Sequence, residues 1–350
     1  MRHLTWISLA FCLTAATRCG AAGNGKAEIV DVKAIWGRAP HNAFTDLARF
    51  KGRWYCTFRE GQGHVSPGGE LRVLSSADGE VWGPSALLSM PGADLRDPKL
   101  SVTSDGHLLL MAAAAWPPPA EVTHRTVTWL SSDGKEWSGP AEVGDPNVWL
   151  WRVSWHMGRA YGLGYSTTAD RFVRVYTSRD GTRFTTLADR VLDSGYPNES
   201  SILFLPDNTA LCLLRRDGDD ATAQLGKAVP PYRGWIWQDL GVKIGGPHMI
   251  RLPDGRIVAA VRLYDGQART SLCWLDPEQP RLDEFLTLPS GGDNSYPGLV
   301  FHDGLLWVSY YSSHEGKSMI YLAKVRIPPA KELKPERKPA WQPRQSAMGR

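Results

Sequence analysis

The chain has 350 residues, 42% of them hydrophobic and 22% charged, with 35 glycines, 25 prolines and 15 tryptophans. That wealth of turn formers and aromatics, with no helical periodicity beyond roughly the first 20 residues, argues against a helical or α/β protein and for many short strands. The net charge of +4 is carried by the stretch from Pro328 to Arg350, so the neutral body shows no footprint for a nucleic acid.

Met1-Arg2-His3 is followed by the apolar run Leu4–Ala16 and small residues at Ala21-Ala22. This pattern predicts a secretory leader over 1–22 and a secreted or periplasmic protein. The run is short for a stable membrane span, so none is expected. A strand follows around Ala27–Trp36, and then six segments share one layout: a polar opener on an apolar strand, a turn, and a second apolar strand. Their openers are Asp46, Asp97, Arg152, Glu199, His248 and Tyr296, spaced 51, 55, 47, 49 and 48 residues apart. Three copies of S-x-D-G-x-x-W/F punctuate the early segments: Ser76–Trp82, Ser131–Trp137 and Ser178–Phe184. Asp-Gly makes a tight turn, because glycine accepts positive φ and aspartate bonds the turn backbone. A repeat of about 50 residues with such turns predicts an all-β fold, a six-bladed β-propeller of four-stranded antiparallel blades over 27–327. The strand near Ala27–Trp36 is expected to close the ring beside Met319–Val325, removing a free sheet edge. The Pro- and charge-rich stretch 328–350 predicts no packed structure.

Of five cysteines, Cys12 and Cys19 fall in the leader; Cys56, Cys212 and Cys273 each sit in an apolar strand run, which predicts buried free thiols rather than a disulfide framework. Trp149, Trp151 and Trp155 read as core between blades. No glycine-rich phosphate loop, zinc-ligand spacing or nucleotide fingerprint is present, so no metal or cofactor is expected. Oligomeric state is not legible.

Inner strands of a propeller converge on its axis, so the six openers predict a ring of acids, a basic group and a phenol in one pocket. Glu199-Ser-Ser-Ile-Leu-Phe with Arg215 sixteen residues after the glutamate, Arg269-Thr-Ser-Leu-Cys-Trp, and Ser295-Tyr296-Pro-Gly-Leu-Val together resemble the corresponding segments of the sialidase (neuraminidase) family. The resemblance implies an exo-glycosidase that removes a sialic acid or related acidic sugar with retention. It assigns Tyr296 as nucleophile, Glu199 as its base, and Arg215 and Arg269 as grips on the substrate carboxylate. A phenol suits a substrate whose own carboxylate would repel a carboxylate nucleophile. Two elements of the family pattern are missing. His41–Asp46 lacks the arginine expected there, leaving Arg59 or Arg152 as candidates. The stretch Gly61–Glu70 lacks the expected acid/base aspartate, leaving Asp46, Asp97 or His64. His248 is a weaker binding candidate. Two other readings stand beside this one: a glycosidase using the carboxylates Asp46, Asp97 and Glu199, and a propeller that binds glycans without cleaving them.

Overall fold

The computed structural model describes residues 26–330; the expected leader and most of the C-terminal stretch lie outside them. The described residues form 24 strands and no helix. The strands make six four-stranded antiparallel sheets arranged as a six-bladed β-propeller. Five blades are built from four consecutive strands. The sixth pairs Glu28–Trp36 with Met319–Arg326, so the start of the described chain completes the last sheet. Closure of this kind covers the outer edge of Met319–Arg326.

The inner strands are His41–Phe50, Asp94–Val102, Val148–His156, Pro197–Phe204, Ile244–Arg251 and Asn294–His302. Second strands such as Leu108–Ala115 and, apart from Arg262, Ile257–Leu263 are apolar on both faces, because both are covered by neighbouring blades. Cys56 and Cys212 are buried and free within second strands, and Cys273 within the third strand Arg269–Asp276.

The S-x-D-G segments turn between third and fourth strands. In each, the serine hydroxyl accepts from the glycine N–H (2.8 to 2.9 Å), and the aspartate takes the next two backbone N–H groups. These turns also join blades. Gly134, at φ +76°, sits against the Tyr55 ring of the preceding blade, whose hydroxyl donates to the Asp133 carbonyl at 2.8 Å.

One irregularity recurs in all six inner strands. Pairing with the second strand slips where residues 44–45, 97–98, 151–152, 198–199, 246–247 and 296–297 each face a single partner residue. These are β-bulges, which bend a strand and re-aim its side chains. Four bulge residues have positive φ: Phe44 (62°), Asp97 (51°), Gly246 (55°) and Tyr296 (51°). Non-glycine residues rarely adopt that conformation, and it concentrates at functional sites.

Candidate active site

The bulges bring Phe44, Trp151, Glu199 and Gly246 around one phenol. The Tyr296 ring lies 5.1 Å from that of Phe44 and 5.6 Å from that of Trp151, both edge-on. A Cβ on Gly246 would stand 2.9 Å from the Tyr296 ring, so this bulge must lack a side chain for the ring to lie there. The Tyr296 hydroxyl donates to Glu199 Oε1 at 2.6 Å. Arg215 Nη1 reaches both Glu199 Oε2 (2.8 Å) and the Tyr296 oxygen (3.0 Å). The Gly246 N–H donates to Glu199 Oε2 at 2.7 Å. Arg215 is the residue opposite the Asn198–Glu199 bulge, which aims it at the pocket. Its neighbour Arg216 faces the other way and pairs with Asp239 at 2.7 Å. Asp217 holds Arg215 Nε at 2.9 Å and is itself held by the Asn198 amide at 2.7 Å.

The electrostatics fit this geometry. Burial raises the Glu199 pKa, but the Arg215 charge, the Tyr296 hydroxyl and the Gly246 N–H outweigh it and hold the carboxyl below its ordinary value. Burial and the Glu199 charge push Tyr296 well above its ordinary pKa, so the resting phenol is neutral and hands its proton toward an ionised carboxylate. Asp97, 3% exposed, differs from both. Burial pushes it up to about 6, only partly opposed by Lys99 and Arg96, and its Oδ1 is buried without a hydrogen-bond partner. Asp97 also feels the Glu199 charge, and the two carboxyl groups are shifted in opposite directions.

Three openers lie one layer deeper instead of in the pocket wall. Asp46 is fully buried. It accepts from Arg152 Nη1 (3.0 Å) and from the Leu100 N–H (2.7 Å), and stands 3.9 Å from His248 Nδ1. Burial, Arg152 and Lys99 keep His248 well below its ordinary pKa, hence neutral. Lys99, absent from the sequence reading, donates to the Thr45 carbonyl and lies 4.7 Å over the Trp151 ring. Burial and Arg152 lower it to about 8. Asp46, Arg152, His248 and Lys99 form a polar cluster around the inner strands, bonded to one another and to the backbone except at Arg152 Nε, which is buried without a partner.

Arg59 and Arg269 also stand apart from the triad. Arg59 is fully buried at the base of the stretch Gln62–Gly69. It bonds Asp94 Oδ1 (2.7 Å), the Gly63 carbonyl and Ser66, and so ties that loop down. Arg269 lies on a third strand and pairs with Glu284 at 2.6 Å and Asp265 at 3.0 Å, on the blade surface. The blade-five guanidinium beside the phenol is Arg262, 5.2 Å over the Tyr296 ring, held by Asp293, the Asn294 carbonyl and the Tyr311 hydroxyl. Arg96, packed 5.3 Å from the Phe44 ring, adds another positive charge near Asp97. His64 does reach the mouth: its ring lies edge-on 5.1 Å from Phe44, and Nδ1 meets Asp293 at 2.7 Å. Sequence reading missed Arg262, Lys99, Arg96, Asp293 and the place of Trp151. Only the bulge register separates an inward side chain from its neighbour, and a single chain does not display that register.

No family model matches the chain, and no curated protein matches it in sequence. Solved structures do match in fold. A protein of unknown function from Dyadobacter fermentans is 21% identical with a TM-score of 0.77, covering 87% of this chain and all of that one. An alpha-L-arabinanase from Penicillium chrysogenum, complexed with arabinobiose, is 14% identical with a TM-score of 0.64, covering 84% and 98%. A Trypanosoma rangeli sialidase in complex with the inhibitor DANA is 11% identical with a TM-score of 0.61. It covers 82% of this chain, which spans about half (55%) of that protein. At these identities the likeness is one of fold: the chain has the propeller architecture of glycoside hydrolases that act on different sugars.

Proposed function

We propose that the protein is a retaining exo-glycosidase acting on a terminal sugar that bears a carboxylate, a sialic acid or a relative, outside the cytoplasm. The observation that carries this reading is the Tyr296–Glu199–Arg215 constellation, a neutral phenol 2.6 Å from an ionised carboxylate under a guanidinium. In the first step the Tyr296 oxygen attacks the anomeric carbon while Glu199 takes the phenolic proton. Asp97, in its acid form, protonates the departing glycosidic oxygen. In the second step Asp97 takes a proton from water, the water attacks the anomeric carbon, and the phenolate leaves and recovers its proton from Glu199. Arg215, Arg262 and Arg96 give the pocket the positive charge that an anionic sugar needs. Two of the three fold neighbours, the arabinanase and the sialidase, add support by being glycosidases.

Turnover of fluorogenic ulosonic acid glycosides by wild type and Tyr296→Phe tests the proposal. The expected result is cleavage with retention, reduced about a thousandfold or more in the variant. No turnover of any such glycoside by wild type would sink it. Inversion with Tyr296→Phe still active would favour a scheme built on Asp97 and Glu199. Asp46, locked beneath the pocket by Arg152 and the Leu100 N–H, is poorly placed to be a third member of such a scheme. Glycan bound but left intact would identify a binding propeller.

A further inference from the structure

We propose that His41, His64 and Asp293 form a binding site for a zinc-class divalent cation at the pocket mouth, clamping blade one to blade six. His41 opens the first inner strand, His64 sits in the loop between Arg53–Gly61 and Glu70–Ser76, and Asp293 immediately precedes the last inner strand. Their donor atoms lie within 4.8 Å of one another. His41 Nε2 and His64 Nδ1 both point at a single oxygen, Asp293 Oδ2, at 3.1 and 2.7 Å. Two imidazoles and one carboxylate oxygen are the donor set of zinc and its neighbours, whereas magnesium and calcium prefer oxygen alone.

The rest of the carboxylate is already oriented for this use. Tyr311 donates to Asp293 Oδ1 at 2.7 Å and Arg262 to the same atom at 3.2 Å, leaving Oδ2 to the imidazoles. Outer hydrogen bonds of this kind fix a ligating carboxylate. Bonds of about 2.0–2.1 Å to a tetrahedral ion would set the donors roughly 3.3 Å apart, so the two contacts to Asp293 would lengthen by a few tenths of an ångström while the imidazole nitrogens, within 4.8 Å of each other, draw together. His64 can supply that movement: its side chain is 49% exposed, whereas that of His41 is 12% exposed. Three protein donors leave a coordination position free for water or a glycan oxygen. The cation would sit one side chain from the phenol, since the Phe44 ring lies 5.1 Å from both His64 and Tyr296. Two features limit its affinity. Arg262 adds positive charge behind the carboxylate, and His41 Nδ1 is buried with no acceptor for its proton.

The test needs no enzymatic activity, so its outcome is separate from that of the glycosidase reading. Untagged protein, stripped with EDTA and dialysed, is titrated with Co2+ while visible d–d absorption is followed; Zn2+ is then added as competitor. The expected result is saturation at one equivalent, displacement by Zn2+, and affinity lowered roughly tenfold or more in His64→Ala and Asp293→Asn. His64 is half exposed, so its variant decides the matter if Asp293→Asn does not fold. No saturable spectrum with wild type, or a His64→Ala titration identical to it, would overturn the proposal.

Discussion

Among the pocket residues, Asp97 most clearly sacrifices stability. Its folded-state pKa of about 6 lies above the ordinary carboxyl value, so ionisation works against folding. The stability it contributes is full below the unfolded value and is lost as pH rises through the folded one, up to about 3 kcal/mol in all. Asp97→Asn removes that loss. Thermal melts should show the variant gaining on wild type between pH 4 and 7 and holding a constant lead above. Wild-type activity should fall as pH rises through about 6 if Asp97 has the proton-donor role proposed for it; a lead independent of pH would contradict the assignment. Residue by residue, legibility in the sequence depended on context. Glu199 opens an apolar strand where a carboxylate has no reason to be buried, and Tyr296 sits before a proline at a strand start, so both stood out. Arg262 lies in the second strand of its blade, flanked by Val261 and Leu263, and did not stand out; Arg269 drew attention instead. The two guanidiniums differ in whether their own sheet neighbours supply carboxylates, and Glu284 and Asp265 do so for Arg269.

At the scale of strands, the six bulges turn a repeated scaffold into a site. A regular strand would carry alternate side chains into the faces between blades; two residues opposite one release a side chain toward the axis. Gly246 shows how tightly this is set. Gly246→Ala places a methyl carbon 2.9 Å from the Tyr296 ring at φ +55°, so the ring must move off its bond to Glu199. The expected outcome is a large loss of turnover with a stability cost of about 1–3 kcal/mol, read by kinetics and denaturant melts. Unchanged kcat would show that the Tyr296 position is not critical. Strands and turns were legible because their signals are local: alternation, Asp-Gly and a repeat of about 50 residues. The bulges were not, since they arise from pairing with a strand some 15 residues on. Asp46, Arg152 and His248 were therefore read as pocket openers, although they belong to the layer below.

The whole molecule is a closed ring in which each blade leans on its neighbours. The S-x-D-G turns carry part of that contact. Gly134→Ala would bring a Cβ to 2.2 Å from the Tyr55 ring at positive φ, at a blade boundary away from the pocket. It should lower the thermal midpoint by several degrees while leaving KM and kcat near wild type; a change in KM at unchanged midpoint would mean that the turns report to the pocket. Ring architecture and blade number were legible from the period alone, and so was closure by the first strand. Which blade supplies which charge was not, because that depends on contacts such as the one between His64 and Asp293, 229 residues apart.

Closure also sets an order of events. Glu28–Trp36 can find its partner only after Met319–Arg326 has been made, and blade six carries the phenol while blade four carries its carboxylate. During synthesis Tyr296 and Glu199 therefore stay apart until blade six has emerged. Trimming before Glu28 would leave this clasp untouched, but losing the next nine residues would unfasten the sheet that holds Tyr296.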